Sequence, residues 1–252
     1  MNGNPVPETD HRPASLSGNE ILSIRLQPDG LSFAYPDQTG IHSAGIPLRP
    51  DHPTDALRQA LSAPEWPKAD FRAVKVCVPS AKALLIPAEA DLPGFREKIA
   101  SGSDLAAEEE AVILSAPADA DKALLFAVCP KVLTPFRERY GETVSFFHPL
   151  LVNLSQPETK ETLLQIDIAG GYASHTLTAD SRCLFCDVFP GENPADILFQ
   201  VNRIIVSNKI GTFRIVCSGE KAHALSESLS NHYRNVSVHP DGENRNLFFP
   251  FR

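Results

Sequence analysis

The sequence predicts an α/β protein built from two like units with mixed sheets, the first unit carrying a small α/β insertion. Three observations predict it. A strand–turn–strand pattern opens the chain after Glu20 and recurs after Glu161. In both places a helix signal follows at a matched distance: 32 residues separate Ile21 from Pro53, and 31 separate Leu163 from Pro194. The chain has 252 residues, 42% of them hydrophobic, which suits two units of roughly 100–130 residues each.

The first unit begins with ILSIRLQ, a turn at Pro28-Asp29-Gly30, and LSFAY. Asp-Gly between two β-rich runs is a strong hairpin signal. A second turn at Pro36 to Gly40 leads into IHSAGIPL. PTDALRQALSAP then places Ala56, Leu57, Ala60 and Leu61 at helical spacing, with Thr54 as the expected N-cap and Pro64 beyond the end. AVKVCVP is the fourth strand. The insertion is expected at about residues 79–122, with loops around Ala100 to Glu108 and Ala116 to Lys122. PKVLTPFRERY reads as a helix, VSFFH as the fifth strand and HPLLVNLS as the link between the units.

The second unit repeats the order. LLQIDI and YASHTLT flank the turn Ala169-Gly170-Gly171, and Asp180-Ser181 turns the chain into RCLFCDVF. NPADILFQVNRIIVSN is a helix with Asn193 as N-cap and Pro194 at its first position. Its Ile197, Leu198, Val201, Ile204 and Ile205 form a wide apolar stripe. FRIVCS is a short buried strand, AHALSESLSNHY a helix and VSVHP a last strand. The expected division is 1–19 as a flexible tail, 20–157 as the first unit and 158–252 as the second.

Composition narrows the function classes. Lys plus Arg number 23 against 31 Asp plus Glu, a net charge of −8. No Lys/Arg cluster interrupts this acidity, which argues against nucleic acid as a partner. The longest apolar run, Ala123 to Cys129, is far shorter than the ~20 residues a spanning helix needs. The first residues lack the apolar centre of a secretory signal, and the expected location is the cytoplasm. Cys77, Cys129, Cys183, Cys186 and Cys217 read as reduced thiols packed in cores.

The order β-β-β-α-β-α-β, found twice, is that of the ribonuclease H-like fold, and the duplicated arrangement resembles the actin-like ATPase type. The insertion after the fourth strand is similar to that of actin-like proteins of bacterial cell division and type IV pilus assembly. The pieces that carry the resemblance are VCVPSAKALLIPAE, LLFAVCPKVLTPFRERYG and VCSGEKAHALSESLSNHY. Together they resemble a family of uncharacterised bacterial proteins with an actin-like fold.

The resemblance implies where a nucleotide would sit. ATP-binding relatives use two hairpin turns with an Asp-x-Gly core, in which amides meet phosphates and the Asp holds the magnesium water shell. In Arg25-Leu26-Gln27-Pro28-Asp29-Gly30, Arg25 or Gln27 stands at the acidic position and Pro28 removes a donor. Asp167-Ile168-Ala169-Gly170-Gly171 keeps the Asp and two glycines, with Ala169 where a Gly is expected. The adenine turn is reduced to Gly219-Glu220. Candidate nucleotide contacts are therefore Asp167, Gly170, Gly171 and Gly219, and Mg-ATP is the one cofactor left open. No catalytic or metal residue is assigned.

Other constellations are weaker. A two-metal nuclease would need about four carboxylates, and Asp167 has only Asp187, Asp196 and Glu220 as candidate companions. Cys183-Leu184-Phe185-Cys186 has the spacing of a zinc or redox motif, but mid-strand residues three apart point to opposite faces, which favours core packing. Trp66 between Pro64 and Pro67 reads as a corner plug. Leu247, Phe248, Phe249 and Phe251 form an apolar terminus that docks on its own sheet or on a partner. The leading expectation is a non-catalytic, actin-like scaffold or adaptor for another protein. The alternative is a nucleotide-binding or kinase-like protein that uses the cleft between the units.

Overall fold

The computed structural model describes residues 20–27, 30–37, 40–48, 53–103, 105, 111–118, 121–154, 160–180, 182–191 and 193–239. The expected N-terminal tail, the Pro28-Asp29 turn and the apolar C-terminus lie outside the described residues.

Strands β1 (Ile21–Gln27), β2 (Gly30–Asp37), β3 (Gly40–Pro47), β4 (Ala73–Cys77) and β8 (Val144–Phe147) form one sheet in the order β3-β2-β1-β4-β8. Strands β9 (Leu163–Ala169), β10 (Tyr172–Ala179), β11 (Arg182–Pro190), β12 (Arg214–Gly219) and β13 (Val236–Val238) form a second, in the matching order β11-β10-β9-β12-β13. Both are mixed: β1 is antiparallel to β2 and parallel to β4, as β9 is antiparallel to β10 and parallel to β12.

Each sheet is backed by helices placed by their apolar faces. Helix α1 (Pro53–Leu61) buries Ala56, Leu57, Ala60 and Leu61. Helix α3 (Pro130–Tyr140) buries Leu133 and Phe136 in the same core. Behind the second sheet, α5 (Pro194–Ser207) buries Ile197, Val201 and Ile204, and α6 (Ala222–Ser230) buries Ala222, Leu225 and Leu229. The side chain of Asn193 caps α5 by accepting the Ala195 amide at 3.0 Å. Thr54, expected to cap α1, lies inside that helix instead and donates its hydroxyl to the Lys131 carbonyl. Trp66 is buried, tilts on Phe33 at 4.9 Å and donates its indole N–H to the Tyr140 hydroxyl at 2.7 Å.

A third sheet, β5-β7-β6, comprises β5 (Ala83–Pro87), β6 (Val112–Pro117) and β7 (Lys122–Val128), with helix α2 (Pro93–Gly102). After Lys122, strand β7 is apolar because both of its faces are buried. Leu124 and Phe126 join the first core, while Ala123 and Leu125 pack with Ile86, Ala100 and Leu105. The insertion is thus fused to the first core through β7, with Ala83 and Leu85 of β5 and Val112, Leu114 and Ala116 of β6 packed against the same core. Of the expected loop residues, Ala100 to Gly102 belong to α2, Ala116 and Pro117 to β6, and Lys122 to β7.

One expectation gains detail and one needs correction. HPLLVNLS, expected to link the units, contains a short helix, α4 (Pro149–Leu154), with Leu150, Leu151, Val152 and Asn153 buried, and it packs on β9, β10 and β11. Cys183 and Cys186 do not point to opposite faces. Thr176 pairs with Cys186, Leu177 with Phe185 and Thr178 with Cys183, so Leu184 is an extra residue in a β-bulge. The cysteines therefore face Thr178 and Thr176, which are two apart on β10 and share a side.

Candidate functional site

Strand alternation makes one face of β1 and of β9 polar. Leu22, Ile24 and Leu26 enter the first core, leaving Ser23 and Arg25 on the opposite face. Leu164, Ile166 and Ile168 enter the second core, leaving Gln165 and Asp167 on theirs. Ser174 and Thr176 on β10 and Ser218 on β12 extend this polar face, because Ser174 and Ser218 both pair with Asp167 and Thr176 pairs with Gln165. All seven of these polar residues are buried.

The polar faces meet at Arg25 and Asp167. The Arg25 guanidinium donates to Oδ2 of Asp167 at 3.3 Å and to the Ile168 carbonyl at 3.0 Å. The Ser218 hydroxyl donates to the other carboxylate oxygen, Oδ1, at 2.8 Å. The two charged side chains are 1% and 0% exposed, so this is a fully desolvated pair rather than a surface contact. The Cys77 thiol lies close enough to feel both charges, but burial dominates and pushes its pKa up.

The glycines of the sequence motif surround this pair. Gly170 and Gly171 form the two-residue turn between β9 and β10 with φ of 62° and 79°, the left-handed values such a hairpin requires. Gly219 has φ of 83°, and a Cβ there would stand 2.1 Å from the Ile168 carbonyl and 2.9 Å from the Arg25 guanidinium. No larger residue fits while Arg25 holds its place. Directly after it, Glu220 donates its amide to the Ile168 carbonyl at 2.8 Å and accepts the Gly170 amide on Oε1 at 3.1 Å. The amide that a phosphate loop would offer to an anion is thus bonded to an internal carboxylate.

The structure brings Asp167, Gly170, Gly171 and Gly219 to one end of β9 and β12. Glu220 is close by, but Asp187 and Asp196 serve elsewhere. Asp187 accepts the Val188 amide at 2.8 Å and its pKa is raised by burial, and Asp196 lies in the first turn of α5. Among the described residues, no group of three His, Cys, Asp or Glu side chains is placed to hold a metal ion.

A cavity of about 200 Å³ adjoins the turn, lined by Val78, Ser80, Lys82, Cys129, Val132 and Tyr172. It falls below the roughly 300–1,000 Å³ usual for small-molecule sites. A larger hollow of about 650 Å³, lined by Glu161, Thr162, Arg214, Asn235 and Ser237 among others, opens at the opposite end of the second sheet.

Sequence reading missed His148, which is buried between the units' connecting elements. Its Nδ1 accepts the Leu150 amide at 3.1 Å, which leaves Nε2–H to donate to the Ser80 carbonyl at 3.1 Å. Burial lowers its pKa to about 4, against the opposing pull of the Ser80 carbonyl and the Asp167 carboxylate. The signal was its position between apolar neighbours, Phe146-Phe147 before it and Leu150-Leu151 after it.

Residues 14–236 match the family described as a protein of unknown function, DUF3822. The chain belongs to that family. No curated protein matches it. Among solved structures, it is similar to a protein from Bacteroides thetaiotaomicron VPI-5482 with an actin-like ATPase fold and unknown function, at 14% identity and a TM-score of 0.78, covering 93% of this chain and 96% of that one. A chain of the PilM–PilN type IV pilus biogenesis complex matches at 14% identity and a TM-score of 0.61, covering 91% and 95%. The ethanolamine utilization protein EutJ from Carboxydothermus hydrogenoformans matches at 10% identity and a TM-score of 0.53, covering 98% and 90%. This member of the DUF3822 family thus has the actin-like ATPase fold, and fold does not by itself assign function.

Two outcomes follow from the buried groups. Arg25→Met leaves the Asp167 carboxylate buried without its cation and is expected to cost about 3–5 kcal/mol in urea unfolding, most of it recovered when Asp167→Leu is added; single variants within about 1 kcal/mol of wild type would refute the pair's role. His148 and His175 both have folded pKa values lowered by burial to about 4. The unfolded chain therefore takes up these protons first, so their contribution is full above about pH 6.5 and is lost toward pH 4, at about 1.4 kcal/mol per pH unit for each histidine. His148→Gln should remove about half of the histidine-dependent loss between pH 7 and 5. An unchanged pH slope in urea titrations would contradict this.

Proposed function

We propose that the protein is a non-catalytic, actin-like adaptor of the cytoplasm that binds another protein. The observation that carries this reading is that the phosphate-loop positions are satisfied from within. Arg25 supplies the positive charge beside Asp167, where a nucleotide-binding relative would hold hydrated magnesium. Glu220 supplies the anion at the Gly170 amide, where a phosphate would sit. A nucleotide would have to displace both groups, and moving Arg25 would strip a buried carboxylate of its cation. The small cavity beside Tyr172 adds to the same case.

Support for a protein partner comes from the outer face of α5. Phe199 and Val206, seven residues apart, are 62% and 74% exposed, an apolar pair on one side of an amphipathic helix. The similarity to a chain of the PilM–PilN complex fits this reading, since that structure is an assembly of two proteins.

Thermal unfolding with and without millimolar Mg-ATP tests the first part. The expected result is an unchanged midpoint. A rise of roughly 5 °C or more, the size expected of a ligand near one hundred times its dissociation constant, would favour nucleotide binding in the cleft if Glu220→Lys abolished it. The partner reading is checked by affinity capture from the source cell with wild type and with Phe199→Asp/Val206→Asp. One protein, recovered with wild type and lost with the folded variant, is the expected outcome. Equal recovery with both would remove α5 from the interface.

A further inference from the structure

We infer that Cys183 and Cys186 form a redox-active dithiol, a site that closes to an intramolecular disulfide by exchange with a low-molecular-weight disulfide. The inference rests on the β-bulge and is independent of the adaptor reading. Without the bulge, two cysteines three apart on a strand stand back to back. The extra residue Leu184 turns Cys183 to the same side as Cys186, opposite Thr178 and Thr176. The two thiols are in side-chain hydrogen-bond contact.

Their surroundings suit exchange chemistry. Strand β11 ends its sheet, and both cysteines are partly exposed, so a small disulfide can reach them. Cys186 packs beside Val188 against the first core. The hydrogen bond to Cys183, with burial second, holds the proton on Cys186. Cys183 stands near the start of β11 while Cys186 packs inward on the first core, so Cys183 is the better placed to meet a small disulfide. By contrast, Cys77 and Cys217 are buried, out of reach of a small disulfide.

The steps balance. The Cys183 thiolate attacks one sulfur of the small disulfide, whose S–S bond breaks and releases one thiolate, which takes a proton. Cys186 then gives its proton to solvent and attacks the Cys183 sulfur. The mixed disulfide breaks and the second small thiol leaves. Two protein thiols are oxidised and the small disulfide is reduced to two thiols. Closure ties Cys183 to Cys186 across the bulge, on the strand that packs beside β5 of the inserted sheet.

The test uses glutathione disulfide on the native chain, followed by acid quench, iodoacetamide and tryptic mapping. Residues 183–203 form one tryptic peptide carrying both cysteines and no internal Lys or Arg, while Cys129 falls on peptide 123–131. The expected product is peptide 183–203 lighter by two hydrogen atoms than its reduced form and closed to alkylation, restored by dithiothreitol, while Cys129 still alkylates. Cys186→Ser should instead trap glutathione on Cys183. Wild-type peptide that alkylates at both cysteines, or that keeps bound glutathione, would overturn the inference, and neither readout depends on the variant folding.

Discussion

The buried pair between Arg25 and Asp167 is the contact around which the two units are arranged. Residues 142 apart in sequence meet at 3.3 Å with almost no exposure. Removing two charges from water is costly, and the cost is met only where partners are complete. Here the carboxylate takes bonds from Arg25 and Ser218, and the guanidinium also reaches the Ile168 carbonyl. The two donors to the carboxylate come from different strands, β1 and β12. The pair therefore fixes β1 against β9 and β12 at one point, and Gly219 must lack a side chain to leave room for it.

The polar groups at the end of β9 are paired within the chain. Arg25 brings a cation to the Asp167 carboxylate, and Glu220 brings a carboxylate to the Gly170 amide. The fold comparisons, at 10% to 14% identity, speak to architecture, and the local chemistry speaks to use.

Much of the site was legible, though not its wiring. The Asp167 strand end, the Gly170-Gly171 turn and the Gly219-Glu220 turn follow from strand–turn–strand patterning, and the structure puts them together. Arg25 stood out as a basic residue at an acidic position, but nothing local indicated that it would cross to Asp167. Pattern reading takes a polar strand face to be a solvated one. Ser23, Gln165, Ser174 and Thr176 are buried because two such faces meet. The thiols of Cys183 and Cys186 were misplaced for a related reason. A one-residue bulge reverses the facing of every side chain on one side of it, and no residue type in RCLFCDVF announces it.

The sequence by itself determined the element order, the matched spacing of its halves and the helix faces, because periodicities of two and 3.6 residues are properties of neighbours along the chain. Asn193 caps α5 and Pro194 begins it for reasons wholly local. The tertiary structure alone decided which polar groups would be desolvated and which would find one another. Ion pairs, bulge register and the packing of α4 on the second sheet depend on chain segments far apart in sequence. Their energies exist only once those segments are brought together and water is excluded between them.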